Sequence, residues 1–312
     1  MPASATAAKE SGQADKGPFA AFLAAGIALT GIVLLFAMVI AFALPAFRQQ
    51  GPGAVLAWSW RPYQGDFGIL PMLAGSMLLA LSALALAWPL AVLLLCGMLP
   101  RGPAAAGRKG AGLRLRRLGA DLLPWAIRLM TAVPTVVYGF AALFLLTPLV
   151  RRGLGGSGLC LLSAALVLAL LILPGMVLVM EAGLAPRLQR LCPGGLALGF
   201  SRLELLWHVV FPSARKTLLA SALLGFGRAM GDTLLPLMLA GNAPQVPGGL
   251  TEGLRTLTAH MALVTANEVG GAAYDSLFAA GALLLGVNTL ASVAARRLAR
   301  CSEPGAPPEL RS

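Results

Sequence analysis

Residues 159–184 read LCLLSAALVLALLILPGMVLVMEAGL, an apolar run whose one charge, Glu181, stands near its end. Roughly 20 apolar residues suffice to cross about 30 Å of hydrocarbon as a helix, and this run lacks the period-two alternation of a barrel strand. Inside a bilayer every backbone N–H and C=O must be satisfied, which leaves a helix as the form such a run takes. Five further runs share its character, at 19–44, 69–99, 122–150, 217–240 and 276–295. Ala41-Phe42-Ala43 looks like a cleavage site, but the first run far exceeds the roughly 7–15 apolar residues of a signal peptide and is read as a retained helix. The expectation is an all-α membrane protein with six transmembrane helices forming one domain over 19–300. Polar tails at 1–18 and 301–312 carry no periodicity that would build an element.

Composition agrees. Of 312 residues 58% are hydrophobic and 12% charged, with a mean hydropathy of +0.81. Soluble domains run at roughly 45–50% apolar and about 25% charged, so a soluble enzyme is excluded. The net charge of +12 comes from residues lying between the apolar runs, and only three tyrosines are present. The excess therefore reads as topology, with lipid and not nucleic acid as the surrounding partner. The segments 1–18, 100–121, 185–216 and 296–312 hold 17 Lys and Arg against 5 in the alternate loops, which puts both termini on the cytoplasmic side of a bacterial inner membrane.

Several chemistries are absent from the pattern. Cys96, Cys160, Cys192 and Cys301 form neither a disulfide framework nor a metal set, and His208 and His260 are not spaced as a zinc protease requires. The lysines are Lys9, Lys16, Lys109 and Lys216, and none follows a glycine; the chain has no phosphate-cradling loop and so no cofactor site of its own for ATP. Gly155-Gly156-Ser157-Gly158 with His260 is similar to the serine and histidine of rhomboid intramembrane proteases, yet both fall in outer loops, where a glycine turn is the simpler reading.

The stretch 193–212 is more informative. Pro193 to Leu198 reads as a short helix closed by Gly199, and Ser201 with Glu204 makes a capping box opening a second helix that runs to Pro212. On it Leu203, Leu206, Trp207 and Val210 recur at spacings of three and four, an apolar face outside the membrane that suits docking in a partner's groove.

At this loop the chain resembles the membrane subunits of ABC importers. Gly199, Val209, Phe211 and Pro212 match the spacing of their signature, while Pro193-Gly194-Gly195 stands where the family has Glu-Ala-Ala and Phe211 replaces its Leu. Four further stretches are similar to permeases of phosphate-specific importers, the PstC type more than the PstA type. They are Ala132 to Phe140, Gly227 to Thr233, Ala240-Gly241-Asn242 and Thr256-Leu257-Thr258-Ala259, and Asp232 stands where the family usually has Glu. The resemblance implies the importer-permease (MetI-like) fold, a non-enzymatic subunit passing inorganic phosphate inward, and four kinds of role around it. These are ABC ATPase subunits that bind ATP and dock on the Gly199 loop, a second PstA-like permease, a periplasmic phosphate-binding protein, and the lipid itself. A permease for another oxyanion, such as molybdate or tungstate, would share this topology.

Two polar groups in the apolar runs are candidates for the path. Arg228 and Asp232 sit near the middle of the fifth run, where each charge costs about 2.5–3.5 kcal/mol, and their spacing would let them pair on one helix face beside Gly225, Gly227 and Gly231. Arg228 would give an oxyanion a planar donor fork, with Asp232 limiting the affinity. In the third run Arg128, Thr131, Thr135 and Tyr138 fall on one face of a continuous helix, with Pro134 freeing a carbonyl one turn earlier.

Overall fold

The computed structural model describes residues 16–49, 51–98, 111–267 and 271–300; the two tails and the basic stretch holding Arg101, Arg108 and Lys109 lie outside them. The chain is helical almost throughout: α1 (Lys16–Gln49), α2 (Leu70–Met98), α3 (Ala111–Ala132), α4 (Thr135–Leu154), α5 (Leu161–Ala197), α6 (Arg215–Gly231), α7 (Leu234–Leu239), α8 (Leu257–Asn267) and α9 (Ala272–Arg300). Between α1 and α2 a small antiparallel hairpin pairs β1 (Trp60–Arg61) with β2 (Asp66–Phe67).

Among the described residues five helices are long and apolar enough to cross a membrane, and a sixth span results when the turns Leu206–Ser213 and α6, bent by 67° at their junction, are counted together. The protein is thus an all-α membrane protein. Helix α5 is its axis: 67% of its most apolar stretch is buried, against 6% for α1. Leu168, Ile172, Met176, Val177, Met180 and Leu184 are all fully enclosed by α2 and α6. Helix α1 lies on the rim against α9, where Phe42 stacks on Phe278 at 5.0 Å.

Helix α5 also separates two ends. At one, the N–H groups of Leu161 and Leu162 donate to the carbonyls of Glu252 (3.0 Å) and Leu250 (2.9 Å), so the long loop after α7 caps the helix start that α5 cannot satisfy itself. At the other, some 55 Å away by helix rise, the chain turns at Gly199.

Three of the expected boundaries need correction. The third run is not one helix, because Pro134 takes an extended conformation (φ −60°, ψ 142°) and starts a new one; the ring of a proline disfavours helical backbone in the residue before it, so the chain breaks at Val133 rather than kinking. The fifth run breaks too, at Asp232 and Thr233, one turn before Pro236, which offers no N–H to the Asp232 carbonyl. The fourth helix does not stop at 184, nor does a separate short helix begin at Pro193: α5 continues through Pro186 and Pro193 to Ala197.

Candidate functional site

The two mid-run breaks face each other. Gly139 on α4 packs so closely on α7 that an added Cβ would lie 2.8 Å from Met238 Sδ and 3.2 Å from a Leu235 methyl, so the helices that restart after each break are in direct contact. Around them stand the residues singled out from the sequence, though not in the arrangement expected.

Helix α6 ends at Gly231, and Asp232 is extended (φ −74°, ψ 131°), so Arg228 and Asp232 do not share a helix face. The Asp232 carboxylate accepts a hydrogen bond from Leu235 N–H at 3.0 Å and caps α7, satisfying a donor that a helix start leaves open. Arg228 projects outward as an exposed side chain and acts electrostatically on the half-buried Tyr138 of α4. The shared helix face is therefore lost, though the Arg228 charge still acts on the Asp232 carboxylate; Asp232 holds the break, and Arg228 is presented beside it. The glycines have separate neighbours. Gly225 meets Met176 of α5, whereas Gly227 and Gly231 lie against the carboxamide of Asn288 on α9, whose Oδ1 is buried without a partner. Asn288 escaped the sequence reading; a lone amide in the last apolar run was the available signal.

In the third run Arg128 and Thr131 fall on α3, Thr135 and Tyr138 on α4, so the single-face stripe does not exist. The break nevertheless keeps them local. The Tyr138 hydroxyl donates across it to the Met130 carbonyl at 2.9 Å, and the Thr131 hydroxyl donates to the Arg128 carbonyl at 2.6 Å. Arg128 and Thr131 are exposed, Thr135 half-buried.

At the Gly199 end, two backbone bonds close α5: Phe200 N–H donates to the Gly195 carbonyl and Gly199 N–H to that of Leu196, both at 3.1 Å, with Gly199 at φ +85°. This is the paired 6→1 and 5→2 pattern of a glycine helix stop. Ser201 N–H then donates to Glu204 Oε2 (2.8 Å) and Glu204 N–H to Ser201 Oγ (3.3 Å). Hydrogen bonds from Ser201, side chain before backbone, hold the Glu204 carboxyl below the usual carboxylate range.

The following segment departs from a plain helix, since Leu206–Val210 is a π turn between two short α turns. The widened turn shifts the side-chain register, and Leu206 and Val210, expected on the docking face, are buried in the protein's own core with Leu205. The Leu203 side chain lies outside those described. Exposed instead are Trp207 (55%), Pro212, Phe200, Leu196 and Leu198 (80%), an apolar crest flanking the Gly199 turn. Leu198 and Phe200 were missed because the helical spacing was applied only after Ser201.

The protease reading is overturned. The Ser157 hydroxyl is engaged with Leu159 of its own turn, accepting from its N–H and donating to its carbonyl, and neither ring nitrogen of His260 has a partner. His260 is fully buried with its ring edge-on to Trp60 at 4.3 Å, and burial, assisted by the Arg255 charge, lowers its pKa to about 4. It is a packed neutral ring with no hydrogen bond to any serine.

Comparison with known proteins bears on this arrangement. Residues 104–301 match the family described as binding-protein-dependent transport system inner membrane component. A probable ABC transporter permease protein of Bacillus subtilis, YqgH, is 28% identical over 236 residues, covering 74% of this chain and 72% of its own. The phosphate transport system permease protein PstC of Haemophilus influenzae is 26% identical over 296 residues (86% and 88%), and that of Xylella fastidiosa strain 9a5c is 28% identical over 262 (77% and 75%).

Proposed function

The chain belongs to the family of binding-protein-dependent transport system inner membrane components, and from that premise we propose that it is the permease subunit which gives inorganic phosphate its path into the cytoplasm. The PstC relatives, similar over most of their length, support phosphate as the cargo. The observation that carries the reading is Arg228: a guanidinium at the middle of an apolar run, beside a broken helix, exposed on the face of the single subunit. Left in lipid it would cost several kcal/mol, so water or another protein must cover that face. A second, related permease facing the two breaks meets that need, and the anion then passes between the subunits over Arg228, with Arg128, Thr131, Thr135 and Tyr138 as polar neighbours. Asp232 contributes through the cap that keeps the break open.

The sequence carries no phosphate-cradling loop, and in this reading the energy comes from separate ATPase subunits. Their dock is the crest of Leu196, Leu198, Phe200 and Trp207, with Ser201 and Glu204 fixing the turn that presents it. The basic asymmetry supports a cytoplasmic side for that end and for both termini, and in this reading the loop after α7 faces the binding protein on the other side. Movement of the crest on ATPase closure reaches the breaks through α5 and α6, which pack along each other.

The test of the cargo is uptake by membrane vesicles holding the full complex, with radiolabelled phosphate competed by molybdate, tungstate and sulfate. Phosphate uptake resisting a hundredfold excess of the other anions supports the reading. Uptake of molybdate or tungstate with phosphate ignored replaces the cargo while leaving the path.

A further inference from the structure

Thr256-Leu257-Thr258-Ala259 has no part in the path as drawn, yet it is a knot of buried hydrogen bonds. Thr256 and Thr258 are nearly inaccessible. Leu257 N–H donates to Ser76 Oγ of α2 at 2.8 Å, and Ala259 N–H donates to Thr256 Oγ1 at 3.2 Å, starting α8. The two threonine hydroxyls are 3.1 Å apart, and that of Thr258 donates to the carbonyl of Asp232 at 2.7 Å. Next to Ser76, Gly75 admits the Arg255 carbonyl where any side chain would collide with it, so α2 forms a fitted seat for this segment.

The bond to Asp232 joins two segments far apart in sequence at the point where α6 stops. An extended residue between two helices leaves its carbonyl without a helical donor, and in a membrane bundle such a group must find another. Thr258 is that donor. We propose that Thr258 is a positioning residue of the anion path: by fixing the Asp232 carbonyl it sets the direction in which the break presents Arg228, and it links the break to the outer loop through α8. A shift of α8 on its Ser76 seat then changes the break directly, giving a binding protein outside a mechanical route to the path. The proposal rests on the reading of Arg228 and Asp232 as path residues.

The test is made on the whole complex in native membranes, measuring phosphate uptake per membrane-resident subunit in Thr258→Val, Thr258→Ser, Asp232→Asn and Arg228→Ala. Valine keeps the shape and removes the donor; it is expected to lower uptake about tenfold at normal abundance, with serine restoring most of it. Asp232→Asn keeps the backbone carbonyl that Thr258 bonds, so it probes the side chain of the break separately from the Thr258 bond. Normal uptake in Thr258→Val while Arg228→Ala is impaired overturns the positioning role alone. Normal uptake in both Arg228→Ala and Asp232→Asn overturns the path reading beneath it. Should Thr258→Val be lost from the membrane, Thr258→Ser decides: loss with serine as well contradicts the proposal, and normal uptake supports it.

Discussion

The third and fifth apolar runs are both interrupted, but for different reasons. At Pro134 the break is written into one residue, which cannot continue a helix from Val133 whatever surrounds it. At Asp232 the cause lies one turn further on: Pro236 has no N–H for the Asp232 carbonyl and its ring would crowd it in a continuous helix, while two side-chain hydrogen bonds set the geometry of the break, from Leu235 N–H to the carboxylate and from the Thr258 hydroxyl to the carbonyl. A break fixed by covalent geometry is permanent. One that lies a turn ahead of its proline takes its direction from side-chain hydrogen bonds, and it is the one beside Arg228.

Acid should separate the two most strongly. His260 follows the Thr258 latch, and burial has lowered its pKa to about 4 from an ordinary 6.5. Between these values the unfolded chain binds a proton that the native chain does not, so stability is complete above about pH 6.5 and falls as pH drops toward about 4, by roughly 3 kcal/mol in all. Melting temperatures of the purified complex at pH 7 and pH 4.5 check this, and His260→Phe, which keeps a ring against Trp60, should flatten the dependence. The Pro134 break has no such group and should be insensitive.

A smaller effect is expected from Gly199→Val. The residue has open space around it but a φ of +85°, which a β-branched side chain adopts at a cost of about 1–2 kcal/mol. Because the strain falls on the turn presenting the crest, ATP hydrolysis should persist while uptake falls, with both breaks intact. Assaying hydrolysis and uptake on one preparation checks it; full coupling would show that the turn does not transmit motion.

The smallest effect distinguishes the breaks again. Tyr138→Phe removes the hydroxyl that bridges the proline break to Met130 and should cost about 1 kcal/mol in stability, with uptake lowered through the loss of one polar neighbour but less than in Thr258→Val, since Pro134 maintains the break alone. A loss of uptake as large as that from Thr258→Val would mean that the third break also depends on its hydrogen bonds.

The six apolar runs, the Gly199 turn and the Ser201–Glu204 capping box could be read from the sequence because each depends on neighbours a few residues apart. Pro134 was visible, and only its severity was misjudged. Pro236 is the legible mark of the fifth break, but its partners at Leu235 and Thr258 are not, and they take Asp232 off the helix face that its spacing from Arg228 suggests; Thr258 is a loop away. Leu206 and Val210 were misplaced for a similar reason, as the π turn that buries them leaves no mark in the apolar spacing. Asn288 becomes meaningful only when α9 is seen against Gly227 and Gly231.

The central claim is that the exposed Arg228 beside the Asp232 break meets the transported anion. Phosphate uptake per membrane-resident complex in Arg228→Ala and Arg228→Lys tests it most directly. The account predicts unchanged abundance, a loss of roughly tenfold to a hundredfold with alanine, and only partial recovery with lysine, because a point charge does not reproduce a planar donor fork. Near-normal uptake in Arg228→Ala at normal abundance would contradict it.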